Sequence, residues 1–201
     1  MTSVPYYAQW ESPELIDDIL SGRLRPRDDP RWQESGARSA EEYERWARHV
    51  CGMACLKMAI AHFTGSVYPI FHLLERAIQH GAYLERDGEI KGMIYAPATQ
   101  LLREAFGLQA TVHTGVEVHE LAEYFNGDAL FIASVHPGIR TPEVEPPARG
   151  GHLVLVTEAT QDALRFHNPS GIARASQQDA VLTPGVFARF FAGRGIRLTP
   201  S

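Results

Sequence analysis

Two cysteines in 201 residues are too few for a secreted disulfide scaffold, so both thiols are expected to be reduced. No apolar run approaches the roughly 18 residues of a membrane span. The opening stretch, MTSVPYYAQWESPELIDD, lacks the charged and apolar regions of a secretory signal. A cytoplasmic protein with no membrane partner is the expectation. Positive charge is also scarce. With 19 Lys and Arg against 24 Asp and Glu, a net charge of -5 and no basic stripe, a dedicated nucleic-acid partner is disfavoured. Neither an internal repeat nor a low-complexity linker divides the chain.

What is present is ordinary globular composition, 44% hydrophobic and 21% charged, at a length suited to one core. A single domain spanning 1–201 is expected. Helical signals crowd the first half. Ser12, Pro13 and Gly22 bracket a short helix, and Ser39 with Glu42 forms a capping-box signature for AEEYERWARH. CGMACLKMAIAHFT stops at Gly65, and IFHLLERAIQHG and PATQLLREAFG each close on glycine. In the second half LQATVH, ALFIASVH, HLVLVTEA, ALRFHNP and GIRL read as strands. VEVHELAEYF and PGVFARFF are helices between them. Helices first and strands second imply an α+β fold, a helical part packed on an antiparallel sheet. The segment 136–151, with four prolines and Gly150-Gly151 at its end, is a long inter-strand loop suited to covering a site.

A cysteine nucleophile needs an imidazole, a group that orients the imidazole, and donors for the oxyanion. Cys51 falls at the first turn of its helix, where free N–H groups and the dipole favour a thiolate. Gly52 beside it is expected to admit a substrate backbone. His152 opens a strand after two glycines. Asn168 ends the next strand, and if the two strands pair as a hairpin, the residues lie near one rung. An amide oxygen there would hold the imidazole tautomer. Gln9 offers an uncharged side-chain donor.

These residues carry a resemblance. Gln9 in VPYYAQW, Cys51 in CGMACLKM, His152 in GGHLVLV and Asn168 in HNPSG stand in the order of papain-like cysteine peptidases. More narrowly, the pattern resembles the bacterial double-glycine peptidases that process bacteriocin leaders. The resemblance implies a papain-like α+β fold, Cys51 as nucleophile, His152 as base, Asn168 as orienting residue and Gln9 as oxyanion donor. It implies a peptide or small amide substrate; no cofactor is expected, and a Cys/His metal site is disfavoured because C-x3-C with a distant His is not a structural zinc spacing. Two features depart from the family. The third residue there is commonly Asp, and the insertion at about 11–48 is longer than in the transporter-linked enzymes.

Other readings stay open beside this one. Cys55 rivals Cys51, although one turn further on it should face the core with Met58 and Ala59. The same thioester could be resolved by an amine, which makes an acyltransferase, and a silent peptide-binding module would keep the fold without the chemistry. His49, His62, His136 and His167 are assigned to surface or core, and Asp28 or Asp29 to capping a turn before Pro30. Trp10, Trp32, Trp46, Tyr6 and Tyr7 divide evenly between cleft lining and core. Arg140 and Arg194 are isolated cations able to hold a substrate carboxylate.

Overall fold

A computed structural model describes residues 3–201; Met1 and Thr2, where the stretch read for a targeting signal begins, lie outside it. The helices are α1 Ile16–Ser21, α2 Ala40–Ala47, α3 Cys51–Thr64, α4 Ile70–Gln79, α5 Tyr95–Phe106, α6 Arg174–Gln177 and α7 Pro184–Phe190. The strands are β1 Leu84–Arg86, β2 Glu89–Lys91, β3 Gln109–Thr114, β4 Leu130–Val135, β5 His152–Ala159, β6 Leu164–His167, β7 Ala180–Leu182 and β8 Phe191–Thr199. β1 and β2 form a small hairpin, and the other strands make one antiparallel sheet in the order β3-β8-β4-β5-β6-β7. The fold is α+β, as the order of helical and strand signals requires. Among the described residues no helix is long and apolar enough to cross a membrane.

Both faces of the central sheet are covered. Leu130, Ile132, Leu153 and Leu155 face the helical half and pack with α3, whose residues Gly52–Ile60 are buried. Phe131, Val154, Val156 and Phe166 face the other way, against Leu121, Phe187 and Phe190. A strand apolar on both faces shows no alternation, which is why ALFIASV is uniformly apolar.

The segment 11–48 is pinned by one carboxylate. Asp29 is 1% exposed and accepts from Ser12 N–H, Ser12 Oγ, Tyr43 Oη and Arg31 N–H. Ser12 therefore caps nothing. A 3₁₀ turn over Pro13–Leu15 precedes α1, in place of one continuous helix. Asp29→Ala would orphan three buried donors, and a loss of about 3 kcal/mol in urea unfolding is expected. Asp28→Ala, at an exposed pair with Arg25, should change stability little.

One other expectation needs correction. VEVHELAEYF forms a 3₁₀ segment over Val118–Tyr124 closed by a Glu117/Glu120 capping box, so it is not an α-helix. The β1–β2 hairpin was not visible as a strand signal, since LERDGEIK is polar and mostly exposed. Trp10 and Trp46 are core residues, and Trp32, Tyr6 and Tyr7 pack against the core half-buried.

Candidate active site

α2 ends at Ala47, the chain turns through 48–50, and α3 begins at Cys51. The first N–H groups of a helix have no intrahelical acceptor. Here burial pushes the Cys51 thiol above its ordinary range, and the N–H groups of Leu153, Gly52 and Cys51 itself, with the charge of Arg140, act against it. The helix start thus works in the expected direction, but desolvation is larger and the net shift is upward. Leu153 N–H belongs to the residue after His152, so the sulfur sits against the beginning of β5.

The space beside Gly52 is already filled. A Cβ there would lie 2.9 Å from Tyr83 Oη and 3.0 Å from Met93, so the missing side chain makes room for the protein's own core. Gly52→Ala should overpack this contact and destabilise by about 2 kcal/mol, read as a lower thermal midpoint.

His152 is delivered by Gly150 and Gly151, both at positive φ (85° and 94°), which turn the loop into β5. Its Nε2 lies 2.9 Å from Asn168 Oδ1. That oxygen also accepts Ser170 N–H at 3.1 Å and is 3.2 Å from Ser170 Oγ. The backbone donor fixes the Asn168 amide with its oxygen inward, so Nε2 must carry the imidazole proton and Nδ1 is the free base. Burial and then the Arg140 charge push the His152 pKa down to about 3, against the hydrogen bond that Nε2–H donates to Asn168. Both shifts favour the neutral forms of the two groups.

Gln9 links the two halves. Its backbone N–H donates to Pro169 O at 2.8 Å, and its side-chain Nε2 to Ala47 O at 2.7 Å, four residues before Cys51. One Nε2 hydrogen remains uncommitted, and the buried Oε1 has no protein partner among the described residues. Cys55 is fully buried, with its thiol pushed well above the ordinary range by desolvation. His167 is also buried, spanning Val4 O and Asp179 N–H. Arg194 is exposed on β8 and lines a different hollow together with Arg149.

Ser170 escaped the sequence reading. Its hydroxyl is 2.9 Å from His152 Nε2 and 2.7 Å from Arg140 Nη2. The signal for it lies in the register. Leu155 pairs with His167, and extending that pairing beyond the strand end sets residue 170 opposite residue 152. A β-bulge between Val156 and Glu158 offsets any count made from the turn.

Helix α3 packed against the β4–β5–β6 sheet belongs to an overall fold that solved structures share. The peptidase domain of Streptococcus ComA, a bi-functional ABC transporter involved in a quorum sensing pathway, superposes with TM-score 0.54 at 19% identity, covering 77% of this chain and 93% of that one. This chain has the C39 peptidase-domain fold. It is the fold that the Gln9, Cys51, His152 and Asn168 pattern implied. A double glycine motif protease from an AMS/PCAT transporter, solved in complex with the leader peptide, gives 0.50 at 20% identity over 75% of this chain and 84% of that one. A candidate C39-like peptidase from Bacillus anthracis gives 0.55 at 12% identity over 76% and 90%. No family model and no curated protein matches the sequence.

Proposed function

We propose that this chain is a cysteine peptidase or amidase. The observation that carries the reading is the 2.9 Å bond from His152 Nε2–H to Asn168, which leaves Nδ1 as an unprotonated base next to the residue whose N–H contacts Cys51. As Cys51 Sγ attacks the amide carbonyl, His152 Nδ1 takes the thiol proton. The Cys51 N–H and the free Gln9 Nε2–H hold the oxyanion. His152 then returns the proton to the leaving amine, the C–N bond breaks, and a thioester remains on Cys51. Water, deprotonated by Nδ1, attacks the thioester and releases the carboxylic acid and the thiol.

In this reading Asn168 orients the imidazole, and a peptide is the substrate class. The leader peptide bound by the AMS/PCAT protease supports a peptide for a chain of the same fold. A silent peptide-binding module is the competing reading, favoured by the raised thiol pKa and the lowered imidazole pKa. Acid quench of the protein mixed with double-glycine leader peptides and other amide libraries, followed by intact mass analysis, separates the two. An acyl adduct on Cys51 that decays to free product supports the peptidase. Peptide bound at equilibrium without adduct or product, on a folded protein, supports the module.

A further inference from the structure

Arg140 has no part in the steps above. It lies in the loop that leaves β4 at Val135 and returns at His152, and those two residues pair across the strands. Among the described residues its half-buried guanidinium makes hydrogen bonds only to neutral oxygens of Ser170: Nε to the carbonyl at 2.8 Å and to Oγ at 3.1 Å, Nη2 to Oγ at 2.7 Å. Among the described residues it has no carboxylate partner, whereas Arg23, Arg25, Arg31, Arg38, Arg165 and Arg189 each have one. Arg48, Arg103 and Arg197 also bond carbonyl oxygens. None of these three acts on the charge state of Cys51 or His152, and Arg140 acts on both.

A cation drawn out of water without a counter-ion is costly, and burial lowers the proton affinity even of this guanidinium. A chain that keeps one there, a single hydroxyl away from His152 Nε2, has an unfilled demand for an anion beside the imidazole. No hydrogen bond occupies Arg140 Nη1 among the described residues. A planar fork with Nε and Nη2 already held by Ser170 is oriented in advance, which is the condition for selective carboxylate recognition.

We propose that Arg140, held by Ser170, is an anion subsite that takes a carboxylate of the substrate beside the scissile amide. The proposal rests on the peptidase reading and names its substrate class: peptides that present an acidic side chain or a free chain terminus next to the cleaved bond. Pairing with that carboxylate would relieve the unpaired cation and make binding selective for anionic peptides. The preference runs against the protein's net charge of -5, which would by itself repel them.

Cys51 reports on this subsite without any substrate being known. Alkylation of the full-length protein by iodoacetate and by iodoacetamide, read at Cys51 by peptide mass spectrometry at one fixed pH, is compared with N-acetylcysteine as the reference thiol. The iodoacetate-to-iodoacetamide rate ratio is expected to exceed the reference by about tenfold, to fall to the reference in Arg140→Gln and to persist in part in Arg140→Lys. A wild-type ratio at or below the reference overturns the subsite and leaves the nucleophile intact, whether or not the variants fold. A Cys51 inert to both reagents in a protein that melts cooperatively overturns the peptidase reading, and the subsite with it. Protection against iodoacetamide then assigns the source. Acetyl-Gly-Gly with a free carboxylate outperforming its amide marks a chain terminus, and acetyl-Asp-Gly-amide outperforming acetyl-Gly-Gly-amide marks an acidic side chain.

Discussion

Cys51→Ala is expected to cut kcat/KM for any cleaved amide by about 10³-fold or more, and His152→Ala by a similar factor. The double variant should be hardly worse than either single one, because thiol and base act as one unit. Asn168→Ala should cost less, about 10- to 100-fold. The reason is local. Ser170 Oγ stands 2.9 Å from the same Nε2 and can accept its proton when the amide oxygen is gone. Asn168→Ala combined with Ser170→Ala removes both acceptors, frees the tautomer, and is expected to fall to the level of His152→Ala. Steady-state kinetics on one peptide and the five variants checks the whole series. Equal losses for Asn168→Ala with and without Ser170 would show that the hydroxyl holds nothing.

The sequence carried most of the fold because local and tertiary preferences agree in it. α3 has a glycine stop in the left-handed region at Gly65, and β5 runs from His152 to Ala159 as its apolar residues suggest. Where the two levels part, the reading failed. Ser12 looks like a cap, yet a carboxylate 17 residues away claims both its hydroxyl and its N–H. Gly52 looks like a substrate floor, yet Tyr83 and Met93, far along the chain, fill the space. The His152–Asn168 bond was legible as an antiparallel hairpin. Ser170 was not, since the β-bulge that brings it opposite His152 leaves no compositional mark. Charge states were the least legible: the helix start argues for a thiolate, and only three-dimensional burial shows desolvation outweighing it.

Acid should destabilise this protein through His152 more than through any surface pair. The imidazole has a pKa near 6.5 in an unfolded chain, and burial followed by the Arg140 charge pushes it down to about 3 in the folded one. Between those values the unfolded state binds a proton that the folded state refuses, so stability rises with pH in this window and is lost as pH falls through it. The loss begins below about pH 6.5, reaches about 3 kcal/mol at pH 4, and about 4 kcal/mol at pH 3. Urea unfolding of wild type and His152→Gln at pH 7 and pH 4 isolates the contribution, because every other group titrates alike in both. The wild type should lose about 3 kcal/mol more than the variant over that interval. Equal losses would mean that water or an acceptor reaches the imidazole and that the pair is not held neutral. Arg140→Gln should narrow the wild-type loss without abolishing it, since it removes the second cause of the low pKa and leaves the first, burial, in place.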